Sequence, residues 1–497
     1  MFPKEGLFTA RALAVAAAVA LLSPAPAGAI PPPRERGART VQPPPDSDRD
    51  WGFVASARAA AENRLKQKSA QGDPWEIMQQ GISVRGTRTM AVLPMLYKNS
   101  AQEPVSVADL QRNLFDGPVL TGTLTDYFRE VSYRTFTVTG IVQPWHKVKE
   151  DDTYYEGADQ NGEACKGLCS AALIQEAVRA LVAVNDSRID FTQLDNDGPD
   201  GRPNSGDDNG AVDFLLILQP EHGGECFADD RNIHSHHSVL DQPIATGDTG
   251  LRGTPIMVNS YVVAGALACG GNTAAPIGMI AHEIGHALDL PDLYDTRDEN
   301  GKSSGIGEWG LMGLGAWGGD GDSPERPSHM SVWEKARLGW VQPSTVLANQ
   351  ASARLRPIEQ WPEAFRINID AFRYYLIEYR RPLGFDDRLP GSGLLVWEVN
   401  EFGLIEKIRT NTVNGNELRQ GLELVEADLA TPLDDEINPA DLGDMFRGSA
   451  NVRRFDRSTD PRARRGALCE IGEAEDVNAV SIYVTRARCP NKDRPGG

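Results

Sequence analysis

The chain has 497 residues, 40% of them hydrophobic and 24% charged, which suits two or three globular domains. Its formal net charge of −20 argues against nucleic-acid binding through a basic surface. Past the N-terminal leader, no stretch reaches the roughly 18 apolar residues of a bilayer span. The mature chain is therefore expected to be a soluble monomer that does not insert into membranes.

Residues 1–29 read as a secretory signal peptide. Lys4 and Arg11 supply positive charge, Ala12 to Leu22 is apolar, and Ala27-Gly28-Ala29 is a small-residue cleavage site. A secreted, extracellular location follows as an expectation. Residues 30–84 begin with a Pro-rich linker containing Pro31-Pro32-Pro33 and Pro43-Pro44-Pro45, extended in character. An Ala-rich helix is expected over Phe53–Ser69. This region reads either as the pro-segment of a zymogen or as a flexible linker. No Cys precedes Cys165, so a cysteine switch is excluded, while an Asp among Asp46, Asp48, Asp50 and Asp73 could block a metal instead.

From residue 85 the pattern is globular. Thr89–Leu96 reads as a buried strand, Leu124–Tyr133 as a helix, Phe136–Val142 as a strand and Leu168–Val184 as a helix. The six Cys (165, 169, 226, 269, 469 and 489) suggest disulfides in an exported chain. Pairing of sequence neighbours is preferred, although spacing does not determine connectivity.

Asp195-Asn196-Asp197-Gly198-Pro199-Asp200-Gly201 and the following Asp207 to Asp213 place carboxylates between glycines, a pattern suited to a hard cation. The spacing is not that of an EF-hand. Asp195, Asp197, Asp200 and Asp213 are the candidate calcium ligands, and a solvated acidic loop is the alternative. The loop runs into the apolar strand Phe214–Leu218. His234, His236 and His237 suit a structural or cleft role better than zinc binding. Ile256–Val263 reads as a strand ahead of the next helix.

That helix contains His282-Glu283-Ile284-Gly285-His286. Residues four apart share a helical face, so His282 and His286 can aim at one metal ion while Glu283 sits beside a metal-bound water as general base. Only 8 His occur in the chain, and the flanks (Ile277, Met279, Ile280, Leu288) are apolar, which separates this copy from a chance surface motif. Catalytic zinc takes three protein ligands and keeps a position for water. Pro291 ends the helix near Leu290, and the chain can then return Asp292 to the metal as third ligand. Asp289, Asp295 or a distant carboxylate are the alternatives. Ligands at 282, 286 and 289 of one straight helix would spread over about 10 Å of axis, and Asp289 suits the left-handed residue of the turn.

With these residues in view, the stretch resembles the M6 family of secreted metallopeptidases, the immune inhibitor A type, whose extended motif is H-E-x-x-H-x-x-G-x-x-D. Asp289 stands where that motif has Gly. Further segments resemble the family: the run Asp126-Tyr127-Phe128-Arg129-Glu130, the acidic loop, the Trp309-Gly310-Leu311-Met312 turn, the helix from Pro327 to Trp340, and the Gly393–Val399 strand.

The resemblance implies a metzincin-like fold of α+β (α/β-type) character, with a mixed sheet and an active-site helix over residues 85–345. It also implies that Met312 forms a Met-turn beneath the metal. A β-rich C-terminal domain, 346–497, is expected from strands over Tyr374–Arg380, Gly393–Val399, Gly421–Ala427 and Val480–Thr485. The function implied is a secreted zinc endopeptidase acting on proteins or peptides, with Tyr294 as a candidate oxyanion donor. Zinc hydrolysis of a non-peptide bond, or a catalytically silent binding protein, are the competing readings.

Overall fold

A computed structural model describes residues 83–156, 170–183, 189–226, 232–297, 303–318, 324–346, 352–370 and 372–428, and shorter pieces from 433 to 485. The signal peptide, most of the candidate pro-segment, the Phe53–Ser69 helix and the Cys165/Cys169 pair lie outside the described residues.

The first sheet carries β1 (Gly86–Leu96), β2 (Phe136–Val142), β3 (His146–Lys147), β4 (Phe214–His222), β5 (His236–Thr249) and β6 (Pro255–Leu267). Its order is β2-β1-β4-β6-β5, with β3 on β1. β2, β1, β4 and β6 run parallel, and β5 closes the edge antiparallel to β6. The fold is therefore α+β with a mixed sheet. The expected strand before the metal helix, β6, is an interior strand, and the edge belongs to β5.

Both faces of this sheet are covered, which is why β1 and β4 are continuously apolar rather than alternating. Successive side chains point to opposite faces. Met90, Val92, Leu216 and Leu218 enter one core; Ala91, Leu93, Leu215 and Ile217 enter the other. Each of these side chains other than Ala91 contributes about 1.5–3 kcal/mol.

Helix α1 (Leu124–Val131) buries Leu124, Tyr127, Phe128 and Val131, one helical face. A capping box of Thr123 and Asp126 starts it. It ends before the expected Tyr133, because Tyr133 and Arg134 adopt φ of 55° and 64°. Helix α2 (Ser170–Ala183) packs Leu173, Ile174, Ala177 and Val178 into the second core. Helix α3 (Ile277–Ala287) lies in the first core, and α4 (Val332–Arg337) follows it. The latter is shorter than the expected 327–340 helix. Ser331 caps it with Glu334, so residues before Ser331 are extended rather than helical.

Residues past 343 carry β7 (Ser344–Thr345), β8 (Ser352–Leu355), β9 (Phe365–Asn368), β10 (Arg373–Arg380), β11 (Gly393–Asn400), β12 (Leu422–Leu424), β13 (Ala467–Ile471) and β14 (Val480–Thr485). They form a sheet ordered β12-β11-β10-β9-β7 and a second ordered β13-β14-β8. The first core runs unbroken into the larger of these sheets: Leu376, Leu395, Trp397 and Val399 share it with Ile280, Ile284, Met312 and Trp333. The metal helix is thus packed from both sides of residue 345.

Candidate active site

Helix α3 is buried from Ile277 to His286. Apolar residues around its whole circumference demand that position. Its exit is a Schellman-type turn: the Leu290 amide donates to the Gly285 carbonyl at 3.0 Å and the Asp289 amide to the His286 carbonyl at 2.8 Å. Asp289 is the left-handed residue, with φ 71°. Its carboxylate faces Arg337 at 3.6 Å. Asp295 accepts the Arg297 amide at 2.8 Å, closing its own turn.

The turn returns Asp292 to the helix. Asp292 Oδ1 lies 3.0 Å from His282 Nε2 and 3.2 Å from His286 Nε2. All three side chains are buried. Each imidazole is oriented by its other nitrogen: His282 Nδ1 donates to the Leu311 carbonyl and His286 Nδ1 to the Leu290 carbonyl, both at 2.8 Å. Both Nε2 atoms converge on the Asp292 oxygen. Although burial opposes it, the neighbouring His286 and His282 hold the Asp292 carboxyl well below the usual range.

Glu283 completes the pocket. It is fully buried, and among the described residues no side chain bonds either carboxylate oxygen, the His237 backbone being the polar group that approaches it. Burial pushes its carboxyl up to about 8. An orphaned carboxylate in the interior is costly. Together with two imidazole Nε2 atoms converging on a carboxylate, it fits a group of positive charge between them. His282, Glu283 and His286 can bring ligand atoms within 4.8 Å of one another. The donor set of two imidazoles and one carboxylate is that of a three-ligand zinc site.

Met312 lies directly under the helix. A Cβ on Gly285 would meet its sulfur at 2.4 Å, so only glycine permits this approach. The Met312 amide donates to Glu334 Oε1 at 2.8 Å, and its carbonyl accepts the Leu293 amide at 2.8 Å. Tyr294 is buried, its hydroxyl bonded to Asp292 and its ring 6.4 Å from that of His282. Asn411, from 119 residues further along the chain, also grips Asp292 and had no sequence signal beyond that of a turn-forming Asn.

In the acidic loop, Asp195, Asp197 and Asp208 bring carboxylate oxygens within 4.8 Å of one another. Asp208 was not among the expected ligands. Asp200 instead accepts the Arg202 amide at 2.8 Å, and Asp213 the Asn196 amide at 2.8 Å while facing Arg88 at 3.9 Å. The loop doubles back, so that Asp208 accepts the Gly198 amide at 2.8 Å and comes to face Asp195. Burial, then Asp208 and Asp197, pushes the Asp195 carboxyl up to about 6.

His237, the second residue of β5, lies near His286; burial first, then His286, pushes its imidazole down to about 3. His236 Nδ1 donates to the His234 carbonyl at 2.9 Å. Cys226 and Cys269 form the expected disulfide, tying the end of β4 to the end of β6. Cys469 is also disulfide-bonded, and Cys489 lies outside the described residues. Among the described residues, no helix is long and apolar enough to cross a membrane.

Residues 95–341 match the family model described as the immune inhibitor A peptidase M6 catalytic domain. An immune inhibitor A from Bacillus thuringiensis subsp. alesti is 33% identical over 210 residues, 40% of this chain and 29% of that protein. A pre-pro-metalloprotease PrtV from Vibrio cholerae serotype O1 is 27% identical over 286 residues, 53% of this chain and 29% of that protein. The match thus spans about 29% of the length of these relatives. A crystal structure of catalytically inactive OgpA from Akkermansia muciniphila, in complex with an O-glycopeptide substrate, aligns at 13% identity and a TM-score of 0.23. That alignment covers 67% of this chain and 88% of that one, and the score is too low to carry an argument. The matched catalytic domain encloses the His282, Glu283 and His286 pocket, and through it the chain belongs to the M6 family of metallopeptidases.

Proposed function

We propose that this chain is a secreted zinc metalloendopeptidase that hydrolyses peptide bonds of proteins or peptides. The observation that carries the reading is the convergence of His282, His286 and Asp292 beside a buried Glu283 carboxylate that no side chain among the described residues bonds. His282, His286 and Asp292 would hold the zinc. Bound there, zinc supplies Lewis acidity, polarising the scissile carbonyl and lowering the pKa of water.

Glu283 takes the proton of the attacking water at a carboxylate oxygen and passes it to the leaving amine nitrogen. Its dry surroundings keep that carboxylate basic. Met312 gives the pocket an apolar floor and is not a ligand. Tyr294, bonded to Asp292, is the candidate donor to the developing oxyanion. The outer edge of β5, unpaired among the described residues and antiparallel in a mixed sheet, offers backbone groups to an extended peptide, a metzincin-like arrangement. Residues 1–29 are the export signal and 30–84 the pro-segment; 85–345 form the peptidase unit and 346–497 the β-rich unit.

1,10-Phenanthroline should abolish cleavage of casein, and added zinc should restore it. Full activity in protein shown by elemental analysis to be metal-free would reject the reading. Asp195, Asp197 and Asp208 hold calcium in the same proposal, with Asp195 Oδ1, buried and without a partner among the described residues, as a ligand atom. Calcium at a hundredfold excess over its Kd should then stabilise the fold by about 2.7 kcal/mol. Asp195→Asn should remove that gain; equal gains in both proteins would refute calcium at this loop.

A further inference from the structure

We infer that Asn411 is a positioning residue for the metal ligand Asp292, so that the metal site is completed by chain outside the matched catalytic domain. This rests on the reading of Asp292 as a ligand. Asn411 adopts the left-handed conformation, φ 51° and ψ 38°, at the end of the short turn Ile408–Thr410. Its side chain holds Asp292 at two points. Asn411 Oδ1 accepts the Asp292 amide at 2.8 Å, and Asn411 Nδ2 donates to Asp292 Oδ2 at 2.5 Å. The amide orientation follows from the partners: an N–H requires the oxygen and a carboxylate requires the NH2. Both residues are buried.

The two carboxylate oxygens of Asp292 therefore have separate tasks. Oδ2 is tied to the amide, and Oδ1 alone faces the two Nε2 atoms. A carboxylate so divided presents one oxygen in a fixed direction. Only a neutral side chain that both donates and accepts can do this beside an anion, which selects Asn over Asp. The loop itself is anchored. Thr296 Oγ1 donates to the Asn411 carbonyl at 2.9 Å, and fully buried Asn414 donates to the Leu293 carbonyl at 2.9 Å and the Leu422 carbonyl at 2.8 Å. The turn 292–296 is thus stitched to residues 411–422, on the strand layer beyond residue 341.

Partners of this kind, one bond removed from a metal, typically change its affinity about 10–100-fold when lost. The test uses the full chain with three variants. Asn411→Gly keeps the left-handed backbone and removes both bonds. Asn411→Asp keeps the acceptor for the Asp292 amide and sets a second carboxylate against Oδ2. Asp292→Ala is the reference. Zinc Kd by chelator competition, the visible absorption bands of the cobalt(II)-substituted protein, and the urea midpoint of the metal-free protein are measured.

Weakening of zinc by about 10–100-fold and displaced cobalt bands in both Asn411 variants are expected. A purely structural residue would move the urea midpoint and leave both metal readouts alone. Unchanged zinc Kd and cobalt bands in the two Asn411 variants, with Asp292→Ala weakened, overturn the inference alone. An unchanged Kd in Asp292→Ala overturns the ligand assignment and the inference with it.

Discussion

Glu283→Gln should retain one zinc per chain and lower kcat by about 10²–10⁴-fold, the usual contribution of a general acid–base group. At 1.36 kcal/mol per tenfold, that is about 2.7–5.4 kcal/mol of barrier. The argument is geometric first. His282 and His286 have their Nδ1 atoms committed to carbonyls, and Asp292 faces both Nε2 atoms. Glu283, one residue along the helix, points roughly 100° away from His282. Among the described residues no side chain bonds its carboxylate oxygens. Gln has the same shape and keeps the pocket filled but takes up no proton at working pH. Zinc content by elemental analysis and kcat on a quenched peptide are the paired readouts. Loss of zinc in the variant would make Glu283 a ligand, and an unchanged kcat would remove it from the chemistry.

What could be read from the chain divides by the distance over which each contact acts. His282, Glu283 and His286 are legible because their relation is one helical turn, fixed by local geometry. The left-handed Asp289 and the returning Asp292 follow from Pro291, again a local constraint. The strands β2, β10 and β14 fall where apolar patterning places them. Strand order does not, since adjacency depends on crossovers that periodicity does not encode. Hence β6 is interior and β5 takes the edge.

The acidic loop has no period at all. Its register is set by backbone amides capped by its own carboxylates, which brings Asp208 in and leaves Asp200 and Asp213 aside. Asn411 and Glu334 are the extreme case. Each acts on a partner at a separation, 119 and 22 residues, that no local pattern reports.

Arg380→Met should destabilise the protein by about 3–5 kcal/mol, the cost of breaking a buried charge cluster from one side. Arg380 is fully buried on β10. Its guanidinium meets Asp386 Oδ2 at 2.7 Å, Glu359 at 3.4 Å and Glu378 at 3.7 Å, and donates to the Trp309 carbonyl at 3.1 Å. Burial works against its charge, but Asp386, Glu378 and Glu359 together hold it protonated.

Met removes the cation and leaves three buried carboxylates beside Lys335, whose own ammonium burial pushes down to about 8. The sign of the pH effect follows. Burial already raises the Glu359 and Glu378 carboxyls in the native state, and losing Arg380 raises them further. The folded variant then binds more protons than the unfolded chain between the ordinary carboxyl pKa and the raised ones. Its stability therefore falls as pH rises through that window and recovers as pH falls towards about 5. Urea unfolding at about pH 5 and about pH 8 should show the deficit larger at the higher value. A deficit equal at both values would mean that packing around the side chain, and not charge, sets the cost.

The effect should also reach the metal. The Trp309 carbonyl opens the segment that carries Leu311, whose carbonyl orients His282, and Met312, which lies under Gly285. Loosening that segment should weaken zinc in Arg380→Met even under conditions where the variant is fully folded. Zinc Kd measured by chelator competition at neutral pH and low denaturant would reveal it. An unchanged Kd would confine the role of Arg380 to stability.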